Sequence, residues 1–523
     1  MRTLFLRGMA WALFGAAWGC GAEAIEADVC IYGGTSGGVA AAVQASRMGK
    51  TAVVAEFGRH LGGLSSGGLG ATDIGNKGAI GGISREFYRR LGQHYGEEET
   101  WKFEPHVAEQ TFNDMLKEAK VRVLLEQRLA GVTKQGGRIL EITMENGNVF
   151  RAKMFIDASY EGDLMAGAKV SYRVGREANA LYGEALNGIR VNTPKHQFQV
   201  SVDPYVKPGD PASGMIPLLQ SEPLGKGGEA DRSVQAYNFR LCFTTNEANR
   251  LPLAPPPHYD PARYELLARY LEALVADGRK PVLSEFWNPI WLAHGKTDIN
   301  NNGGISTDFI GANHGYPEAN YRTRERIWKE HEIYTRGFLT FLATSPRVPE
   351  QIRAEMKTWG PCKDEFTDNG GWPYQLYIRE ARRMIADYVM TERHCRGLVK
   401  APDPVGLGAY GMDSHNCRRL ARSGHVFNEG DVQAQGFRPY PISYRSIIPG
   451  AGECENLLVP VCLSATHIAY GSIRMEPVFM ILGQAAATAA CLSLDDQTSV
   501  QSLNYEKLRA RLLEDKQILA WVP

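Results

Sequence analysis

Gly33, Thr35, Ser36, Gly37, Gly38 and Glu56 have the types and spacing to hold a dinucleotide. They lie in Asp28–Glu56 (DVCIYGGTSGGVAAAVQASRMGKTAVVAE), a glycine-rich turn with an acid further on. The chemistry is recognition of a pyrophosphate, in which free amides at the start of a helix, and the positive end of its dipole, face the anion. Gly33 lets the chain turn tightly, Gly38 lets the helix pack close to the preceding strand, and Glu56 accepts from a ribose hydroxyl. Thr35 stands where G-x-G-x-x-G has its middle glycine, so a side chain is added where backbone and phosphate approach. The plain alternative is an α/β turn that binds no phosphate.

The frame for these residues is local. Val29–Tyr32 is a short apolar run suited to a buried parallel strand. Val39–Met48 is rich in alanine and other helix formers, and Thr51–Ala55 is a second strand that ends at Glu56. The next stretch, FGRHLGGLSSGGLGATDIG, adds Gly62, Gly63, Gly67 and Gly68 with the small hydroxyls of Ser65 and Ser66. A nicotinamide cofactor rarely needs a second glycine loop. A flavin does, because its ribityl chain and ring extend further along the protein; the alternative is a merely flexible loop. Val121–Val132 reads as a strand, Met154–Asp163 as a strand ending in a tight turn, Glu455–Cys462 as another strand, and Val478–Cys491 as a buried helix.

A chain of 523 residues is too long for one simple core. Its 58 basic and 58 acidic residues balance, which argues against a nucleic-acid partner or an anionic membrane surface. Residues 1–24 read as a secretory leader: Arg2 and Arg7, a short apolar run from Met9 to Trp18, and a small-x-small site at Ala22-Glu23-Ala24. The run is about half the length that spans a bilayer, so an exported protein without integral membrane association is expected. Lipidation at Cys20 is the alternative. None of the other cysteines forms a Cys-x-x-Cys pair, so neither a zinc site nor a redox dithiol is indicated and no metal is expected. Cys395, Cys417 and Cys454 are disulfide candidates with no assigned partners.

YGGT-x-GG, DASYEGDLMA and SIRMEPVFM occur in this order along the chain. With them it resembles the exported bacterial FAD-dependent oxidoreductases, within the two-dinucleotide-fold superfamily of succinate dehydrogenases and fumarate reductases. The resemblance implies an α/β fold: a Rossmann-like FAD-binding domain, with a parallel sheet, helices and a small antiparallel sheet, plus an inserted α+β capping domain. The expected boundaries are 25–190 and 371–523 for the two parts of the FAD domain, and 191–370 for the cap. Residues implied to meet FAD, held non-covalently, are those above with Phe57, Arg128, Leu129, Ala158, Ser159, Gly162, Asp163, Arg383, Met475, Glu476 and Val478. Ser159-Tyr160 replaces a usual Thr-Gly, so only its backbone role carries over. Pro477 suits the first helical position, and the amides around it are expected at the flavin's pyrimidine edge. His60 falls one place off the spacing of relatives that carry flavin covalently.

Taking a hydride from a CH–OH group needs a base for the hydroxyl proton and donors near the developing charge. The resemblance points to Leu376–Met384 with Arg379 and Arg383 (expected on one helical face), Gly411–Asn416 with His415, and Leu463–Glu476 with His467 and Arg474. Tyr444 and Arg445 are further candidates. His415 is the first choice of base and His467 the second; each can equally be a structural histidine. Lys296–Tyr316 crowds short polar groups that suit a polyhydroxylated ligand, or else bond to one another or hold calcium. Cap tryptophans are sugar platforms or core. Gly406–Gly411 also fits G-x-G-x-x-G, but without a leading strand or a following helix it reads as an active-site loop. No NAD(P)H domain is evident, so the electron acceptor is left open. The expected activity is oxidation of a small polar substrate, plausibly a sugar or glycoside. The alternatives are CH–CH dehydrogenation and a non-enzymatic electron carrier.

Overall fold

The computed structural model describes residues 24–522, so the leader expected over 1–24 lies outside the described residues except for Ala24. Ala24 opens β1 (Ala24–Tyr32), whose Val29–Tyr32 half is fully buried. Burial on both faces is why that half is continuously apolar rather than alternating. β1 lies parallel to β2 (Ala52–Ala55) on one side and to β6 (Val149–Asp157) on the other. β3 (Arg122–Leu124) extends the parallel set beyond β2, and β4 (Leu129–Gln135) and β5 (Arg138–Met144) add an antiparallel flank beyond β6. The order is β3-β2-β1-β6-β5-β4, with Leu457–Leu458 joining β6 in parallel near its end.

The strand expected over Val121–Val132 is therefore two strands. The break has a physical cause: Glu126 sits at φ +59°, and its neighbourhood hydrogen-bonds to the turn after β2, through Glu126 N to Gly58 O and Gln127 N to Glu56 O. Only Leu457–Leu458 of the expected Glu455–Cys462 strand pairs in a sheet.

α1 (Ser36–Arg47) covers one sheet face, and the apolar helix Glu476–Asp495 packs across it. The approach is close: a Cβ on Gly483 would lie 2.0 Å from Gly37 O, and one on Gly38 would lie 1.9 Å from Gly33 O. The Glu476–Asp495 helix is long and apolar enough to cross a membrane, but its apolar window is 89% buried within the protein. Its first residue is Glu476, which puts Pro477 second rather than first.

A second, antiparallel sheet joins Gly360–Pro361, Leu241–Thr244, Lys296–Asn301 and Trp287–Trp291. The polar stretch read as one loop thus begins as a buried strand. Asp298 takes a bidentate contact from Arg240 at 2.7 Å, and Lys296 Nζ meets Glu104, Asp364 and Glu365 at 2.7, 2.8 and 2.6 Å. Trp287, Trp359 and Trp372 are buried, Trp291 is exposed against Trp359, and Trp328 faces a cleft. Leu376–Ala381 is not helical; Tyr377 bridges to Asn238, and the Ile378 and Arg379 amides each donate to the carbonyl two residues back. A strand, Pro404–Gly408, does carry Gly406 and Gly408, contrary to the reading of this motif as a loop without one, but the strand Met412–Ser414 follows where a nucleotide site needs a helix. The eight described cysteines are buried and free, Cys395, Cys417 and Cys454 among them.

Candidate flavin and substrate site

The two glycine loops are locked together at the end of β1. Gly33 takes φ +100°, and a Cβ there would lie 2.6 Å from Ser159 N. Gly62 N–H donates to Gly34 O at 2.7 Å, and Thr35 bridges to Gly62. The Thr35 hydroxyl donates to Ala158 O at 2.7 Å and accepts from Gly38 N at 3.2 Å, capping α1. The helix geometry leaves the buried Ser36 and Gly37 amides without a carbonyl partner.

Glu56 accepts from Gly34 N and Gly58 N, each at 2.6 Å, one per oxygen. Burial pushes its carboxyl up to about 7 in spite of both amides. A cleft of about 700 Å³ opens beside it, lined by Phe57, Gly58, Arg128, Asp163, Tyr321 and Trp328. The cap's long helix, Tyr321–Thr344, closes this end. Tyr321 OH shares a 2.7 Å hydrogen bond with Tyr32 OH and accepts from Leu129 N at 3.0 Å, while Arg324 pairs with Asp163 at 2.6 Å.

A second cluster gathers around Tyr377. The guanidinium carbon of Arg379 lies 4.5 Å from its ring centre and that of Arg474 at 5.5 Å, and Arg474 Nη1 donates to the Tyr377 hydroxyl at 2.7 Å. Asp308 receives Arg379 at 3.0 Å on one oxygen and His415 Nδ1 at 2.8 Å on the other. His415 Nε2 faces Asp413 at 3.8 Å, and Asp413 in turn meets Arg474 at 3.6 Å. Burial, then the nearby Arg379 charge, push the His415 pKa below the usual histidine range. Burial opposes ionisation of Asp308, but Arg379 and His415 outweigh it and hold that carboxyl down to about 2. The arrangement is a neutral imidazole oriented by an ionised carboxylate, which suits a general base.

The chain matches the FAD dependent oxidoreductase family over residues 28–512. It belongs to that family. No curated protein matches the chain. Among solved structures it is similar to the L-amino acid deaminase from Proteus vulgaris, at 15% identity and TM-score 0.25, over 38% of this chain and 57% of that one. Thermovibrio ammonificans THI4 is similar at 20% identity and TM-score 0.23, over 29% and 66% of the two chains. The 3-ketosteroid-delta4-(5alpha)-dehydrogenase from Rhodococcus jostii RHA1 is similar at 15% identity and TM-score 0.20, over 29% and 50%. The chain thus spans between 50% and 66% of the length of these three, and likenesses this weak say nothing of substrate.

FAD is the cofactor of this FAD dependent oxidoreductase, and the cradle fits it. The orphaned Ser36 and Gly37 amides suit the pyrophosphate, and Glu56 keeps lone pairs free for ribose hydroxyls. Several expected contacts are differently employed. Ser159 directs its hydroxyl to Asp157 at 2.6 Å, and burial pushes Asp157 up to about 6. Asp163 is held by Arg324 and Arg382, and Arg128 by Glu325 at 2.5 Å. The Met475 and Val478 amides donate to Ile473 O and Met475 O, which leaves Glu476 N–H free at the start of its helix.

Two expected residues, Tyr444 and Arg383, lie apart from both clusters, and a third, His467, borders the second through Ser414. Tyr444 OH donates to Val500 O at 2.8 Å, deep in the core. Arg383 spends its guanidinium on Glu177, Glu380, Ala465 O and Gly175 O, so it knits the fold rather than the cofactor site. Both ring nitrogens of His467 are committed, Nδ1 to Glu380 at 2.6 Å and Nε2 to Ser414 Oγ at 2.9 Å. His60 stacks on Tyr374 with centroids 3.3 Å apart and meets Glu109 at 2.9 Å. Tyr377, Asp413, Arg240 and the orienting role of Asp308 were not foreseen. The one available signal was Asp308 in a polar stretch, which nothing local tied to His415.

Proposed function

We propose that this chain oxidises a CH–OH group of a small polyhydroxylated molecule of the sugar or glycoside class, with His415 taking the hydroxyl proton at Nε2. The observation that carries the reading is the Asp308–His415 pair beside Arg379. Asp308 fixes the proton on Nδ1 and leaves Nε2 as the acceptor. When bound, FAD supplies the hydride acceptor. Arg379 and Arg474 stabilise negative charge on the substrate oxygen as its proton leaves.

The substrate class rests on balance. Arg379, Arg474 and Arg240 each face a carboxylate, respectively Asp308, Asp413 and Asp298. Arg379 Nε, Arg474 Nε and Arg240 Nη1 are buried without hydrogen-bond partners. With Asp73 at 3.9 Å from Arg240 Nη1 as a fourth carboxylate against the three arginines, the alternating donors and acceptors carry no excess positive charge, and beside the Tyr377 and Tyr410 rings they suit neutral hydroxyls better than a dicarboxylate. The leader and the lack of a second nucleotide motif support an exported enzyme that passes electrons to an acceptor other than NAD(P).

The test is anaerobic: FAD-loaded protein is mixed with aldoses, polyols and glycosides, and bleaching of the flavin band is followed. Bleaching by one of these, slowed roughly 10²–10⁴-fold in His415→Asn, supports the reading. Bleaching by saturated carboxylic acids alone would assign CH–CH dehydrogenation, and bleaching by a reduced protein alone would make the chain an electron carrier.

A further inference from the structure

Glu476 is the first residue of its helix, and its carboxylate points into the seam between the two glycine loops. Oε2 accepts from Ser36 Oγ at 2.6 Å and from Ser65 Oγ at 3.2 Å, and Oε1 accepts from Tyr160 OH at 2.7 Å. The carboxyl is fully enclosed and its partners are hydroxyls only. The ionisable groups facing it are two phenols. Tyr160 comes from the segment after β6, and Tyr88 from the helix Gly82–His94; burial raises both well above the tyrosine range. No lysine, arginine or histidine compensates it among these contacts.

Ser36 is also the first residue of α1, whose Ser36 and Gly37 amides are the pyrophosphate donors of the cradle. A carboxylate bonded to the Ser36 side chain therefore stands beside a dianion bound at the Ser36 backbone. In an enclosed site two like charges that close repel strongly, and one of them takes a proton. A hydroxyl can accept as well as donate, so Ser36, Ser65 and Tyr160 can still partner the neutral acid, although the bonds they donate favour the ion.

We propose that Glu476 is a cofactor-positioning residue that is neutral when FAD is seated, so that FAD is taken up together with a proton. The inference rests on the family's cofactor and is independent of which substrate is oxidised. Burial by protein alone pushes the Glu476 carboxyl up to about 7, against the pull of the three hydroxyls. The sign follows. Below that pH the acid is neutral before FAD arrives and this group adds no pH dependence. Above it, each pH unit weakens FAD binding by up to about tenfold, because the proton must be supplied from solvent.

The experiment follows FAD release from the holoenzyme by recovery of flavin fluorescence between pH 6 and 9. Calorimetry of FAD binding at pH 8, in buffers of different ionisation enthalpy, counts protons. Glu476→Gln is expected to take up one proton fewer than the parent and to lose its share of the acceleration above pH 7. Glu56 also titrates in this range, so the difference between parent and variant is the readout. Tyr160→Phe removes one donor to the ion, and the onset of weakening is expected to move to higher pH; this arm decides the matter if Glu476→Gln holds no flavin. Equal proton counts in parent and Glu476→Gln, or an onset unmoved in Tyr160→Phe, would overturn the proposal.

Discussion

Asp308 and His415 lie far apart in sequence, yet they meet at 2.8 Å, and the proposed proton transfer depends on that contact. His415 must be neutral to take a proton, and burial and Arg379 hold its pKa below the ordinary 6.5. The rate of flavin reduction is therefore expected to fall only as pH drops through that lowered value, and to stay level above it as far as this group is concerned. Asp308→Asn removes one of the two charges that favour the imidazolium, leaving Asp413, and also frees the ring. The acidic limb should move to still lower pH while the reduction rate falls by roughly 10²-fold or more. A limb that moves upward would place the base elsewhere. Residue types in the sequence nominate His415, but a histidine is functional or structural according to what holds its nitrogens. His467 shows the other outcome, with one nitrogen on Glu380 and the other on Ser414.

At the scale of elements, legibility follows locality. β1, α1 and β2 form contacts within a short span, and glycine marks their close approaches, so their pattern is readable before folding. Gly38→Ala would put a methyl 1.9 Å from Gly33 O, and Gly483→Ala one 2.0 Å from Gly37 O. Either is expected to lower stability by about 1–3 kcal/mol in denaturant titration and to loosen FAD retention, since both contacts set the start of α1. Leu376–Met384 misleads because its residues favour helix locally, whereas Arg379 reaches Asn238 and Asp308 from a non-helical segment that bridges to Asn238 through Tyr377. Lys296–Asn301 misleads for a related reason. Its polar side chains look solvated, but their partners arrive from distant segments: Glu104 and Glu365 for Lys296, Arg240 for Asp298. Lys296→Met should leave the buried Glu104 and Glu365 without their shared lysine, with only His294 and His106 beside them, at a cost of about 3–5 kcal/mol. A variant as stable as the parent would show that the cluster contributes little.

Across the whole molecule, charge that is balanced overall is unevenly soft to pH. Glu56, Glu161 and Glu476, around the cofactor cradle, are each pushed by burial up to about 7, and Asp157 to about 6. A carboxyl with a raised folded-state pKa stabilises the fold below its unfolded value and loses that contribution as pH rises through the folded one. Buried His314, His331, His394 and His415 act in the opposite sense, because burial lowers each of them below 6.5. Below pH 6.5 the two sets oppose each other. Above it the histidines are neutral in both states and drop out, which leaves the three glutamates uncompensated. His106 and His196, raised by Glu365 and, against burial, by Asp431, add to the same loss. FAD-free protein is therefore expected to show little trend in melting temperature from pH 5 to 6.5 and a fall from pH 6.5 to 8 by scanning calorimetry. Glu476→Gln should shrink that fall, because its amide has no proton to lose. A melting temperature that rises across pH 6.5 to 8 would mean that these glutamates are ionised in the folded cradle, and that water reaches what the packing encloses.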